Sequence, residues 1–330
     1  MNDERTSRAR GCLVGLAVGD ALGGPTEGKT FDAIGKKWGR VTGFLSDDQT
    51  GSDDTEYALF NARLLLRYGR KLTAGLIADH WKKDIALASN TYVGAGFSEM
   101  LAIRNLKAGL VPPESGQHLH SWSDGLAMRV APFGIVAGGR PGLAARLAGM
   151  DGSVTHAGEG IYSGQAVAAA IAVAMTGAPV PALVDAACGV IPADSWTRRG
   201  IDSAVALASK SSDMWSALPL LYGRLAGTGY HWPDIAPEAV AMAFGIVVAS
   251  RGVLRDALLG GANIGRDTDT IAAIAGAIVG AQQGNSALPP EWAGRVSVAR
   301  GVCLAAVRGM NIEETADRLA QVAGTWGDEP

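Results

Sequence analysis

The sequence has few cysteines and few charged residues, and both shortages exclude classes of protein. The three cysteines Cys12, Cys188 and Cys303 are scattered over 330 residues and lack the spacing of a metal-binding or redox pair. We therefore expect reduced thiols that act as small apolar side chains. Charged residues make up 18% of the chain, the net charge is −3, and no run is rich in Lys and Arg. This composition disfavours nucleic acid and acidic membrane surfaces as partners.

Long apolar runs and a secretion signal are also missing. The apolar run Ile271–Ala281 is far shorter than the roughly 20 residues that span a bilayer. The apolar stretch Cys12–Leu22 follows Arg8 and Arg10, as in a signal peptide, but Asp20 interrupts it. We therefore expect a soluble, cytoplasmic protein with no membrane partner.

Alternating β patterns are nearly absent, and Arg40–Phe44 is a weak strand candidate at most. Apolar residues instead recur at helical spacing in six segments. These segments are Thr55–Tyr68, Gly125–Ala137, Gly160–Met175, Ser203–Lys210, Pro237–Ser250 and Asp269–Ala281. Gln165–Met175 and Ile271–Ala281 are apolar on all sides, which is typical of helices inside a bundle. Because 48% of the residues are hydrophobic and no linker or repeat interrupts the chain, we predict one compact, multi-helix, all-α domain over residues 1–330.

Two short acidic clusters, far apart in the sequence, have the same composition. Gly51–Glu56 and Gly265–Thr270 each contain a pair of aspartates, neighbouring hydroxyls and a preceding glycine. Carboxylate and hydroxyl oxygens, without nearby His or Cys, are the ligands that Mg²⁺ and Mn²⁺ prefer. The clusters therefore predict two halves of one site for hard divalent cations.

Helix capping is the alternative explanation of each cluster. Asp53 with Glu56 fits a capping box, and Asp267 with Thr270 fits a similar cap. Capping uses one carboxylate for each helix, however, and each cluster has two. Asp269 opens a helix that the pattern predicts to be buried, where an unpaired carboxylate costs several kcal/mol. A bound cation would remove that cost, so we favour the metal site.

The arrangement of these segments resembles the ADP-ribosylglycohydrolases over about residues 8–282. Arg10–Glu27 is similar to the opening helix and acidic loop of that family, Ser52–Thr55 to its Thr-Asp-Asp-Thr, and Asp267–Ala272 to its C-terminal metal motif. The weaker matches Ala127–Pro132 and Thr155-His156 fall in the same order. The remaining C-terminal residues would form further helices of the same domain.

The resemblance implies an all-α fold with two divalent cations, Mg²⁺ or Mn²⁺, as cofactors. Asp269 would bridge both metals. The implied metal ligands are Ser52, Asp53, Asp54, Asp267, Asp269 and Thr270. Glu27, on a glycine-rich loop, would be a movable ligand or a proton-transfer group. Either Glu27 or Asp54 would be the catalytic base.

The implied reaction is hydrolysis of an N- or O-glycosidic bond at the anomeric carbon of a ribose, which makes the chain a glycosidase. Its substrate would be a small ribosyl or ADP-ribosyl compound or an ADP-ribosylated protein. The implied substrate-binding residues are Gly94, Gly96, Ser123, Asp124, Gly125 and His156. For His156, both that role and the role of a hydrogen-bonded structural residue remain possible interpretations. Two alternatives remain: a metal-dependent phosphoesterase, and a non-catalytic, crystallin-like protein that binds metal or ADP-ribose.

One departure from the family bears on the substrate. Ser123-Asp124-Gly125 stands where the family has Gly-Asn-Gly, and Asp124 places a negative charge where phosphate would approach. We therefore expect a substrate with few or no phosphates, such as a nucleoside-like N-riboside. Glu159 is predicted to be a solvated loop acid or a ligand of sugar hydroxyls. His118 and His120 are predicted to be ordinary loop residues, while Tyr92 and Trp122 are candidates for stacking on a base.

Overall fold

Helices form nearly all of the regular structure in the computed structural model, which describes residues 2–89 and 92–326. Within these ranges there is no β-strand, and only the isolated bridges Ser123–Ile235 and Val298–Asn311 occur. The α-helices are α1 (Asn2–Gly23), α2 (Phe31–Trp38), α3 (Asp53–Tyr68), α4 (Ala74–His80), α5 (Phe97–Lys107), α6 (Ala131–Val136), α7 (Pro141–Gly152), α8 (Glu159–Ala174), α9 (Val180–Gly189), α10 (Trp196–Ala208), α11 (Met214–Leu225), α12 (Ala236–Ala249), α13 (Leu254–Ile264), α14 (Thr268–Gln283), α15 (Pro290–Arg295) and α16 (Ile312–Ala323).

The predicted all-α fold class is confirmed, with two local corrections. Arg40–Phe44 forms no strand. The predicted helix Gly125–Ala137 is instead a 3₁₀ segment, Asp124–Arg129, followed by α6. Pro132 lies in the first turn of α6, where its missing N–H loses no helical hydrogen bond. The other five predicted segments each coincide with one helix, although α10 begins earlier than predicted because the Ser195 side chain caps it.

The middle of the bundle contains α8, α12 and α14, and nearly every residue of α12 and α14 is buried. This agrees with their apolar composition, since a helix without a polar face can only be stable away from water. No helix within the described ranges combines the length and the hydropathy that a membrane crossing requires.

The closest helix pair is α1 against α14, which run antiparallel with their backbones in contact. Gly11 faces Gly280, Gly15 faces Gly276, and a Cβ on Gly15 would lie 2.5 Å from the Gly276 carbonyl oxygen. Two further contacts, Gly19 with Ala272 and Gly23 with Asp269, continue the series. Because any larger side chain would separate the two backbones, these glycines determine how the helices approach each other.

We predict that Gly276→Ala destabilises the protein, because the new methyl would overlap the Gly15 backbone and lie 2.7 Å from Leu258 Cδ2. Overpacking of this kind costs about 1–3 kcal/mol. Denaturant unfolding followed by circular dichroism measures the change. Gly223→Ala in α11 is the matched control: its Cβ meets no atom within 4 Å, so it should be neutral or stabilise by up to about 1 kcal/mol through helix propensity. Equal effects of the two substitutions would contradict the packing argument.

Candidate active site

A cavity of about 780 Å³ opens where α3, α5 and α14 meet the segment that carries Glu27 and the loops around residues 92–96 and 232–234. Six of the residues that line it are acidic. They are Glu27, Asp53, Asp124, Asp234, Asp267 and Asp269. Arg104 is the one Lys or Arg side chain among the described lining residues. The cavity therefore favours cations and repels anions.

The first acidic group of the site joins three helices. Asp20 of α1, Asp54 of α3 and Asp269 of α14 are buried, and one carboxylate oxygen from each lies within 4.8 Å of the others. Both oxygens of Asp54 and Oδ1 of Asp269 have no hydrogen-bond partner among the described residues. Buried carboxylates normally have such partners, so these oxygens fit the ligands of a cation.

The second acidic group shares one residue with the first. Glu27, Asp267 and Asp269 also offer oxygens within 4.8 Å of one another. Asp269 thus belongs to both groups, which gives two adjoining positions with a common carboxylate. The two clusters that the sequence linked are together in the fold, and Thr270 lines the same cavity.

Asp20 was not among the predicted site residues, yet it organises the start of α3. Its Oδ2 accepts hydrogen bonds from the backbone N–H groups of Ser52 (2.7 Å) and Thr55 (3.0 Å) and from the Thr55 hydroxyl (2.6 Å). Its Oδ1 accepts from the Ser52 hydroxyl at 2.6 Å. The Ser52 proton is therefore directed at Asp20, which leaves oxygen lone pairs for a metal. The sequence signal was a lone carboxylate inside an apolar helix.

The capping explanation of the acidic clusters is wrong in its details. Ser52 and Asp267 occupy the N-cap positions of α3 and α14, and neither makes a side-chain cap hydrogen bond. Glu56 does not turn back to its own helix start. Its carboxylate accepts the backbone N–H groups of residues 302–304 at 2.7–2.9 Å. Asp53 is consequently free of the capping box and lines the cavity.

Burial and mutual repulsion favour the protonated forms of these carboxyl groups. Burial raises the pKa of Asp53 to about 7, with a further contribution from the charge of Asp20. Burial is the main cause of the raised pKa of Asp54, and the charges of Asp20 and Asp269 raise this pKa further. The pKa of Asp267 is raised by burial and then by the charge of Asp124. A cation among them would reverse this preference, because it stabilises the ionised forms.

The predicted glycines allow the backbone to approach acidic side chains. Gly94 has a φ of +65°, and a Cβ there would lie 2.6 Å from Asp53 Cβ and 2.7 Å from Cys303 Sγ. A Cβ on Gly96 would lie 2.9 Å from Asp234 Oδ2, and one on Gly125 would overlap Glu99. All three glycines line the cavity.

Ser123 and His156 are buried behind the cavity wall and do not line it. His156 Nε2 lies 3.1 Å from Ser123 Oγ, and His156 Nδ1 lies 2.7 Å from Thr155 Oγ1. Ser123 Oγ donates to Glu99 Oε2 at 3.0 Å. Burial and the charge of Arg129 lower the pKa of His156 well below its usual range. Of the two roles left open for His156, this geometry favours the structural one.

A buried guanidinium supports the same wall. Arg129, which belongs to one of the weaker matching segments, donates to Glu99 Oε1 (3.0 Å), Asp151 Oδ2 (2.8 Å) and Thr155 Oγ1 (2.8 Å). It also donates to the Gly125 carbonyl oxygen at 3.0 Å. These bonds connect α5, α7 and the 3₁₀ segment that begins at Asp124, so they fix the position of Asp124 in the cavity.

The residues predicted to lie near a substrate divide between the cavity and its surroundings. His120 and Trp232 line the cavity with Tyr92, whereas Trp122 lies in a neighbouring groove. Glu159 is neither a solvated acid nor placed in the cavity. Its carboxylate accepts the backbone N–H groups of residues 196 and 197 at 2.7 and 2.9 Å, and so caps α10. Asp234 and Trp232 belong to a loop that has no periodic signal in the sequence.

Comparison with known proteins agrees with this geometry. The family model of the ADP-ribosylglycohydrolases matches residues 1–329. An uncharacterised protein of Archaeoglobus fulgidus is 32% identical over 298 residues, which cover 86% of this chain and 89% of that protein. The ADP-ribosylarginine hydrolase Tri1 of Pseudomonas putida is 27% identical over 317 residues, with 89% of this chain and 76% of that protein covered.

A solved structure described as an ADP-ribosylglycohydrolase-related protein complex has the same fold. It superposes with a TM-score of 0.68 at 24% identity and covers 97% of this chain and 99% of that one. The family match over nearly the whole length, the related hydrolase and the converging acidic clusters lead to one conclusion. The chain belongs to the ADP-ribosylglycohydrolase family and is a hydrolase of glycosidic bonds.

Proposed function

We propose that this enzyme cleaves the glycosidic bond of a ribosyl or ADP-ribosyl group at a centre of two divalent cations, Mg²⁺ or Mn²⁺. The observation that carries the proposal is the set of unpartnered, buried oxygens on Asp54 and Asp269, at the junction of two acidic groups. Isolated buried carboxylates are unfavourable. Carboxylate oxygens in this number suit hard cations, with no soft ligand in either group.

The ligands of one position would be Asp54 and Asp269, with Asp53 and the Ser52 oxygen beside them. Asp267 and Thr270 would complete the other position together with the shared Asp269. When bound, the cations would orient the ribose hydroxyls and lower the pKa of an attacking water. Asp20 would hold Ser52 in place through its four hydrogen bonds to the start of α3.

Glu27 is the better of the two candidates for the catalytic base. It lines the cavity, whereas Asp54 is buried beneath it. Partial burial of the Glu27 carboxyl raises its pKa, and the charges of Asp234 and Asp20 raise it further. Because Glu27 lines the cavity, a water bound there can reach its carboxylate, which is the first requirement of a general base. Glu27 would therefore accept the proton of the water and return it to the leaving group.

The charge of the cavity supports a substrate with few or no phosphates. Six carboxylates and one guanidinium line the described wall, and one oxygen of Asp124, which is among the six, has no hydrogen-bond partner. At the lining carboxylates that would not hold a cation, Asp124 and Asp234, a pyrophosphate would meet more repulsion than a nucleoside-like N-riboside. Turnover of a simple riboside should therefore exceed turnover of an ADP-ribosylated protein by at least about tenfold, which corresponds to about 1.4 kcal/mol. Strong activity on the pyrophosphate substrate alone would contradict this preference.

We predict that Asp269→Asn abolishes metal-dependent release of ribose, because Asp269 serves both acidic groups. A loss of more than about 100-fold is expected, since even residues that only support a ligand cost 10–100-fold when changed. Ribose release with added Mn²⁺, and its loss with a chelator, is the measurement. Asp79→Asn, at an exposed position of α4, is the control and should keep full activity. Release of phosphate in place of ribose would favour a phosphoesterase, and metal binding without any hydrolysis would favour a non-catalytic protein.

We also predict that the stabilisation given by added metal increases with pH. The folded-state pKa of Asp53 is raised from its ordinary value of 3.8 to about 7. The metal-free folded state therefore binds more protons than the unfolded state, and its stability falls as the pH rises through this window. Metal binds the ionised form, so the Tm difference with and without Mn²⁺ should grow between about pH 4 and pH 7. Thermal unfolding at several pH values measures it, and Asp53→Asn should weaken the dependence. A Tm difference that is independent of pH would count against the metal centre.

A further inference from the structure

The loop that carries Trp232 forms an aromatic part of the cavity wall. The indole ring packs against Phe97 and His120, with ring centroids 5.6 Å apart in both cases. Trp232 is nevertheless 42% exposed, and it lines the cavity together with both neighbours. A rigidly supported indole with an exposed surface is suited to stacking on a flat ligand.

Asp234 adds a hydrogen-bond acceptor two residues further along the loop. It lines the same cavity, and its Oδ2 accepts the Phe97 backbone N–H at 3.3 Å. Gly96 lies directly beneath this carboxylate, because a Cβ there would be 2.9 Å from Oδ2. The wall thus combines an aromatic surface with a positioned carboxylate, and neither group belongs to the acidic clusters described above.

Arg266 ties this loop to the acidic centre. Its guanidinium bonds to Glu238 Oε1 at 2.6 Å and donates to the Trp232 carbonyl oxygen at 2.8 Å. Its backbone has a φ of +68° and pairs with the Glu27 loop through Gly28 and Lys29. A non-glycine residue in this conformation is strained and persists only where its surroundings hold it. Asp267 follows directly, so one strained residue connects the aromatic loop, the Glu27 loop and the acidic cluster.

We infer that Trp232 and Asp234 form an aglycone subsite for a planar nitrogen heterocycle, and that Arg266 is its positioning residue. The ring would stack on the indole, and a ring N–H or exocyclic amino group would donate to Asp234. The inference rests on the proposed glycosidase function, since it gives the ribose a heterocyclic leaving group. The apolar side chains of Phe97, Met100, Leu101 and Met128 line the same cavity. Within a cavity that is acidic as a whole, the indole and these apolar side chains favour a flat ring that donates a hydrogen bond to Asp234.

Binding of free adenine to chelator-treated enzyme tests the subsite without any catalysis. Trp232→Ala should weaken adenine binding, measured by calorimetry, by about 5- to 100-fold, because stacking of a base on an aromatic side chain is worth about 1–3 kcal/mol. Trp232→Phe should retain most of the affinity, and Asp234→Asn should reduce it. Trp196→Ala is the matched control, since Trp196 is 44% exposed but lies in the neighbouring groove, and it should change the affinity less than twofold. Unchanged adenine binding in Trp232→Ala, with native circular dichroism, would overturn the subsite.

Two ribosides separate the subsite from the proposed reaction. With Mn²⁺ present, Trp232→Ala should raise KM for a purine riboside by a similar factor and leave KM for methyl riboside nearly unchanged. Tryptophan-dependent adenine binding without hydrolysis of any riboside would support the subsite and refute the proposed activity. An equal rise in KM for both ribosides would contradict a subsite for a heterocycle. Trp232-dependent binding of methylguanidine in place of adenine would contradict it as well.

The positioning role of Arg266 has its own measurement. Arg266→Gln should weaken adenine binding at least fivefold, because the Trp232 carbonyl loses its donor and the loop is released. The Tm should also fall, since Glu238 is left buried without its cation. A lower Tm with unchanged adenine affinity would show that Arg266 only stabilises the fold, and would contradict its proposed role in positioning the Trp232 loop.

Discussion

The direct backbone contact between α1 and α14 is the constraint on which the site depends. Gly15 and Gly276 leave no side chain between the two helices, so the helices approach closely along their length. Asp20, near the end of α1, is thereby held next to Asp269, at the start of α14. Since Asp20 in turn binds the first turn of α3, the same contact also positions Asp54. A wider separation of the two helices would pull the acidic groups apart.

The acidic centre shows why such close packing is needed. Buried carboxylates that lie close together repel one another and lose their hydration. At Asp54, no hydrogen bond from the described residues offsets the repulsion or the lost hydration. Asp20 differs, because four hydrogen bonds satisfy it. The site therefore contains an acid that organises the backbone beside acids whose oxygens remain available. The packing energy of a large alanine- and glycine-rich core holds this unfavourable set of charges together.

Much of the helical architecture could be predicted, because it follows from local patterns. The long apolar helices α8, α12 and α14 lie within two residues of their predicted bounds, since their composition leaves no other arrangement. The two acidic clusters were also recognisable, because each combines paired aspartates with hydroxyls. Asp20 was harder to interpret, since the sequence showed it only as an interruption of an apolar stretch. Its role depends on the start of α3, where its partner Ser52 lies 32 residues later in the chain.

The part of the cavity wall that the Trp232 loop forms could not be predicted, because long-range contacts determine its position. Trp232 and Asp234 belong to a segment without periodicity, and their placement depends on the bonds that Arg266 makes with Glu238 and the loop. A guanidinium with a planar set of donors is suited to holding a carboxylate and a carbonyl at once. Because Arg266 immediately precedes Asp267, any shift of the aromatic loop is transmitted to the backbone of the acidic cluster. The Trp232 loop and the acidic centre are therefore connected through one residue, although the two features belong to different parts of the chain.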